Sequence, residues 1–169
     1  MASAPGPTRF TLQPIDEKAA RAICSWRYPE PYDVYNGSSA AVEHLLNPNN
    51  AYHSVVDDRG DLIGFFCFGA DARVPGEIEQ DDSGTGGVLD VGLGMRPDYT
   101  GRGLGLEFVQ AGLSFAREAF APGRFRLAVL TFNQRAIRVY QKAGFVPRRV
   151  LTTETTRGRR DFLVMERPA

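Results

Sequence analysis

Residues 88–105 read VLDVGLGMRPDYTGRGLG, and this stretch decides the fold. A β-prone run from Val88 to Met95 meets Pro97, then a turn holding Gly101, Gly103 and Gly105. Beyond it Leu106, Val109, Leu113, Ala116 and Phe120 recur at helical spacing. A strand feeding a glycine-rich turn that opens a helix is an anion-binding geometry. The first N–H groups of a helix are unpaired and carry the positive end of its dipole, and glycines let that backbone approach a ligand. A tight strand-to-helix turn with no ligand is the plainer alternative. Two better-known phosphate loops do not fit. A P-loop needs Lys-Ser/Thr after its last glycine, where this chain has Leu106-Glu107, and a dinucleotide fingerprint needs glycine where Phe108 stands.

Within the strand, Gly92 and Gly94 are unfavourable and point to a bulge or a close backbone approach. A strand with exposed backbone groups beside an anion cradle could hold an extended, amide-bearing arm such as the pantetheine of coenzyme A. Further along, Asn133 is a good N-cap, and Ala136 and Tyr140 follow three and seven places later on about one helix face. Gly144 suits the left-handed position past a helix end, and Phe145 starts a return strand. Taken singly, Asn133 could be a plain cap and Tyr140 a core residue.

The rest of the chain supplies the frame. A strand is expected over 10–14, then a helix capped by Asp16 and carrying Ala19, Ala22, Ile23 and Trp26. Pro29 and Pro31 break it. A second helix starts near Ser38 or Ser39, carries Val42, Leu45 and Leu46, and stops at Asn47-Pro48. Strands over 52–56 and 62–68 form a hairpin, and residues 71–87 make a long acidic, glycine-rich connection. A strand over 125–131, a helix over 133–143 and a closing hairpin over 145–156 and 161–166 complete the order. This alternation predicts a mixed sheet flanked by helices. Residues 1–8 read as a frayed tail and 9–169 as one domain.

Composition excludes several classes. Twenty basic and twenty acidic residues give zero formal net charge, which argues against nucleic-acid binding by general electrostatics. Only the arginines between Arg148 and Arg160 cluster, as a local anion site or, more simply, a solvated face. The longest near-continuous apolar segment, 63–69, is far too short to cross a bilayer. Cys24 and Cys67 sit in apolar patterns and read as buried thiols of a reducing compartment, so a cytoplasmic location is expected. His44 and His53 lack metal-ligand spacing with each other or with the cysteines, so no metal is expected. No G-x-S-x-G elbow is present.

At this point the chain resembles the GNAT superfamily of N-acetyltransferases. Thr100-Gly101-Arg102-Gly103-Leu104-Gly105 is similar to its acetyl-CoA motif Q/R-x-x-G-x-G/A, with Thr100 where Gln or Arg is usual. Residues 133–145 match N-x-x-A-x-x-x-Y-x-x-x-G-F at every fixed position. The resemblance implies an α/β (α+β) domain with a central mixed, mostly antiparallel sheet of about six or seven strands and about four helices. It implies acetyl-CoA as co-substrate and an amine as acceptor, and dimers are frequent in that superfamily, which leaves a homodimer open. By the same resemblance the backbone of Leu93, Gly94 and Met95 would pair with pantetheine, and Thr100 to Gly105 would hold the pyrophosphate. Asn133 would sit near the cofactor and Tyr140 near the thioester sulfur.

The chemistry sets its own demands. A primary amine with an ordinary pKa of about 10 is protonated at neutral pH and must lose a proton before attack, while the departing thiolate needs one. Tyr140 is a reasonable proton donor. Asp90 is the candidate base, about 10 Å along the strand from Leu93; alternatively it hydrogen-bonds a neighbouring strand or orients a water. The family attacks the thioester directly, so neither cysteine is a nucleophile. Trp26, Tyr28, Tyr32 and Tyr35, with Glu30 and Asp33 among them, are candidates for the acceptor pocket, against ordinary packing. A silent acyl-CoA-binding module and a nucleotide-binding enzyme are the rival readings.

Overall fold

Strand-forming residues alternate with helical periods along the chain, and the computed structural model, which describes residues 9–74 and 87–169, turns that alternation into one seven-stranded sheet. The strands are β1 (Thr11–Pro14), β2 (Tyr52–Val56), β3 (Leu62–Phe68), β4 (Val88–Met95), β5 (Arg124–Leu130), β6 (Val146–Thr155) and β7 (Gly158–Pro168), in the order β1-β2-β3-β4-β5-β7-β6. Every neighbouring pair is antiparallel except β4 and β5. The expected tail over 1–8 and most of the acidic connection, 75–86, lie outside the described residues.

Four helices cover the sheet. Helix α1 (Glu17–Ser25) starts where Asp16 accepts a hydrogen bond from the Ala19 amide at 2.7 Å, as the cap reading requires. The second expected helix begins as a 3-10 turn, Ser39–Ala41, and continues as the short α2 (Val42–Leu46). With no side-chain cap at its start and Asn47-Pro48 at its end, it has room for little more than one turn. Ala20 and Cys24 of α1 pack on Val42 and Leu45 of α2.

On the other face, α3 (Gly105–Phe120) and α4 (Gln134–Lys142) bury Phe108, Val109, Leu113, Ala116 and Ile137 against Phe66, Val91, Phe125, Leu127 and Met165. The sixteen residues of α3 are the crossover that a parallel β4–β5 pair needs. Both cysteines are buried free thiols, and burial pushes Cys67 up to about 12. No helix among the described residues is long and apolar enough to cross a membrane.

The parallel contact is short. Only Val88, Leu89 and Asp90 pair with Arg124, Phe125 and Arg126. Past them β4 continues to Met95 along β3, and β5 continues to Leu130 along β7. The two strands therefore diverge, and a wedge opens between 91–95 and 127–130. That wedge positions everything below.

Candidate active site

The wedge opens into a cleft of about 430 Å³, lined on one side by Leu93, Gly94 and Met95 and on the other by Ala128, Val129 and Leu130. Main-chain groups along a strand point alternately to its two neighbours. The Gly69 amide donates to the Asp90 carbonyl and the Arg96 amide to the Ile63 carbonyl, so the even-numbered residues of β4 face β3. Leu93 and Met95 therefore present their N–H and C=O groups to the wedge. Gly94 borders the cleft, but its main-chain groups are directed at Phe65 of β3, so its expected pairing with a ligand is corrected.

The strand glycines have a cross-strand cause. A Cβ on Gly92 would lie 2.6 Å from the Cys67 sulfur, and one on Gly94 2.4 Å from the Phe65 ring. The register between β3 and β4 runs without a bulge. Side chains of β3 exclude larger residues there.

The cradle sits at the mouth of the wedge. Gly101 and Gly103 adopt φ of +73° and +76°, and neither would meet an atom within 4 Å of an added Cβ, so their backbone is open. Helix α3 starts with no side-chain cap. Its first N–H groups are thus free to receive an anion, and a phosphate fits that need. Thr100, Gly101, Gly103 and Gly105 line the cleft. The Thr100 hydroxyl donates to the Pro97 carbonyl at 2.6 Å, which commits its one proton to the turn and not to a phosphate. Arg102 is exposed, with its guanidinium 5.2 Å from the Tyr99 ring, and Leu104 packs on the core; neither lines the cleft.

Asn133 and Tyr140 both line the cleft. The Asn133 side chain caps α4 by accepting from the Ala136 amide at 3.1 Å, and its amide donates to the Tyr35 phenol at 3.0 Å. One side chain thus caps α4 and ties it to Tyr35 at the cleft wall. Burial raises the Tyr140 phenol well above its ordinary pKa, with Tyr35 adding to the effect. It holds its proton throughout the neutral range.

Asp90 lies elsewhere. It is 3% exposed and faces Arg126, its register partner at the last rung before the strands part. The Arg126 guanidinium donates to both carboxylate oxygens, at 2.6 and 2.9 Å, and Arg73 donates to one of them at 2.7 Å. A carboxylate enclosed by two guanidiniums and absent from the cleft lining is not placed to take a proton from an acceptor. The base assignment is corrected. Asp90 clamps the vertex of the wedge.

The acceptor candidates divide. Tyr28 and Tyr32 line the cleft, and the Tyr28 hydroxyl donates to the Met95 carbonyl at 2.7 Å. Trp26 does not line it; its ring stacks on Phe65 at 6.5 Å, over the sheet face that α1 covers. Tyr35, Arg135 and Phe162 also border the cleft, and Phe132 packs on Tyr32 at 5.9 Å. Arg135 occupies a variable position of the helix motif, and Phe162 arrives from the last strand. No local sequence signal marks either one.

A splayed parallel pair, exposed strand backbone and an uncapped, glycine-led helix suit a long anionic ligand with an extended amide arm. A family model described as "Acetyltransferase (GNAT) family" matches residues 19–145, so the chain belongs to the GNAT acetyltransferases, a family that uses acetyl-CoA. Membership implies acyltransferase activity. No curated protein matches the sequence. Solved structures share the fold. A GNAT-family acetyltransferase from Bacillus anthracis is 16% identical with a TM-score of 0.70, covering 95% of each chain. A spermidine N-acetyltransferase from Vibrio cholerae, solved with CoA and spermine, is 20% identical with a TM-score of 0.66, covering 96% of each.

Proposed function

We propose that the protein is an N-acetyltransferase that moves the acetyl group of acetyl-CoA to a primary amine by direct attack on the thioester. The observation that carries this reading is the placement of Tyr140, a phenol kept protonated by burial, in a cleft whose other walls are strand backbone and an anion cradle. Acetyl-CoA supplies an activated acyl group: the C–N bond forms as the C–S bond breaks, one proton leaves the amine and one reaches the sulfur. Leu93 and Met95 align the amide-bearing arm. Gly101, Gly103 and the start of α3 hold the phosphates. Tyr140 delivers the proton to sulfur, and Asn133 fixes the helix that carries it. Neither cysteine serves as a nucleophile, because burial raises both thiols away from the reactive thiolate.

Thiol release from acetyl-CoA, followed across a panel of primary amines, tests the proposal. Acceptor-dependent release is expected, and Tyr140→Phe should cut turnover by about 100-fold with the acetyl-CoA dissociation constant nearly unchanged. Tight acetyl-CoA binding without release by any amine would point instead to a silent acyl-CoA-binding module.

A further inference from the structure

We infer that the acceptor is an amine that also bears a carboxylate on an aromatic or bulky apolar body, with Arg135 and Arg160 receiving the carboxylate. The inference rests on the acyl-transfer reading above and names its second substrate.

Three cationic side chains of α4 line the cleft, and they divide between two ends. Val139 packs directly beneath Gly105 of the glycine turn, and Arg138 and Lys142 lie on either side of it in sequence. Arg135 stands at the other end of the helix, about 10 Å from Lys142 along the axis at the usual rise. Its guanidinium lies 4.4 Å from the Tyr32 ring, and its charge acts on the Tyr35 phenol. Arg135 therefore belongs to the tyrosines and not to the phosphate cradle.

Arg160 approaches from β7. It lies two residues from Phe162, on the same strand face, and Phe162 lines the cleft. Phe162 pairs with Leu130, and the Thr131 amide donates to the Asp161 carbonyl, so this part of β7 runs beside the turn from which α4 rises. The Arg160 Nε is buried and has no hydrogen-bond partner among the described residues. A buried guanidinium donor left unpaired is costly and rare. Arg160 does not itself line the cleft, so a change of rotamer is what would carry this donor to a ligand oxygen there. The same arginine cluster closes this end of the cleft, because Arg157 donates to the Asp33 carbonyl at 2.7 Å and seats the β6–β7 turn on the 3-10 turn Tyr32–Tyr35.

The apolar body follows from the aromatic rings. Phe132 packs on both Tyr32 and Tyr35, yet Tyr35 stays 40% exposed and Phe132 39%, so part of each ring is open to a further contact. Their faces are rigid surfaces for an aromatic or bulky apolar group, and guanidiniums at the edge match a carboxylate in planar, two-pronged fashion. A polyamine would bring ammonium groups against the same guanidiniums. The spermine-bound Vibrio cholerae enzyme shares this fold; here Glu30 and Asp33 lie next to the tyrosines in sequence, and Arg135 is the charged side chain beside them that lines the cleft.

Calorimetric binding to the CoA-loaded protein tests the inference without requiring turnover. Phenylalanine, phenethylamine (the same amine lacking the carboxylate) and spermine are the probes. Phenylalanine should bind about tenfold or more tighter than phenethylamine, the scale of a charge-assisted hydrogen bond. Arg135→Ala and Arg160→Met should each erase that preference while CoA affinity stays within about twofold, since neither residue belongs to the phosphate cradle. If Arg160→Met fails to fold, Arg135→Ala carries the test. Tighter binding of spermine, equal binding of the two aromatic amines, or binding of neither at millimolar concentration would overturn it. Absence of thiol release with every amine would sink the acyl-transfer reading and leave this binding preference to be judged alone.

Discussion

The two ends of the cleft are built from different materials. The end proposed for the cofactor is mostly main chain: the outward groups of Leu93 and Met95, the left-handed turn at Gly101 and Gly103, and the uncapped start of α3, with Arg138 and Lys142 on the adjoining helix. The end proposed for the acceptor is side chain: Tyr28, Tyr32, Tyr35, Arg135 and Phe162, drawn from separate parts of the sequence. Backbone recognition constrains conformation and tolerates many side chains, so the same scaffold can serve many enzymes. Side-chain recognition constrains chemistry, and there one enzyme departs from its neighbours.

The largest expected effect lies at the vertex that joins the two ends. Asp90→Ala removes the buried carboxylate that Arg126 and Arg73 share, and breaking a buried pair this way costs about 3–5 kcal/mol, measurable by urea unfolding. If Asp90→Asn still folds, its pH–rate profile should keep the shape of the parent. A lost acidic limb would restore Asp90 as a base and break the division drawn here. At the cofactor end, Gly103→Val forces a branched residue into a positive-φ position, which costs roughly 1–2 kcal/mol. Acetyl-CoA affinity should fall about tenfold by that cost, with little change in the affinity of the acceptor.

The smallest effect concerns the link between the ends. Burial, reinforced by Tyr35, pushes the Tyr28 phenol up to about 12 from an ordinary value of 10. Between those values the unfolded chain releases a proton that the folded chain keeps, so this residue's contribution to stability is complete below pH 10 and fades as pH rises toward 12. Tyr28→Phe should flatten the alkaline side of the unfolding curve. An unchanged slope would show that the hydroxyl is not held as described.

The difference between the two ends also governs what the sequence could reveal. Gly101 and Gly103 announce themselves because few other residues accept their backbone angles, and Asn133, Ala136, Tyr140 and Gly144 lie within one helix and its two caps. The order of elements follows from periodicity. Asp90 misleads because its partner Arg126 stands 36 residues away and arrives only through the parallel register of β4 and β5. Trp26 misleads in the opposite direction: an aromatic beside Tyr28 in sequence rests on Phe65 in space. Arg160 belonged to a cluster whose alternatives were an anion site and a solvated face. A strand pairing, not a local motif, sets it on the same strand face as Phe162.

The hydrogen bond from Tyr28 to the Met95 carbonyl has one more result. An extended arm laid along β4 meets a ladder with a fixed number of rungs: the N–H and C=O of Leu93 and the N–H of Met95. The phenol occupies the next rung. A ligand that used the Met95 carbonyl would have to displace the phenol, so Tyr28 limits the ladder where β4 runs out toward the glycine turn. Tyr28→Phe would free that carbonyl and lengthen the ladder by one rung at the mouth of the wedge.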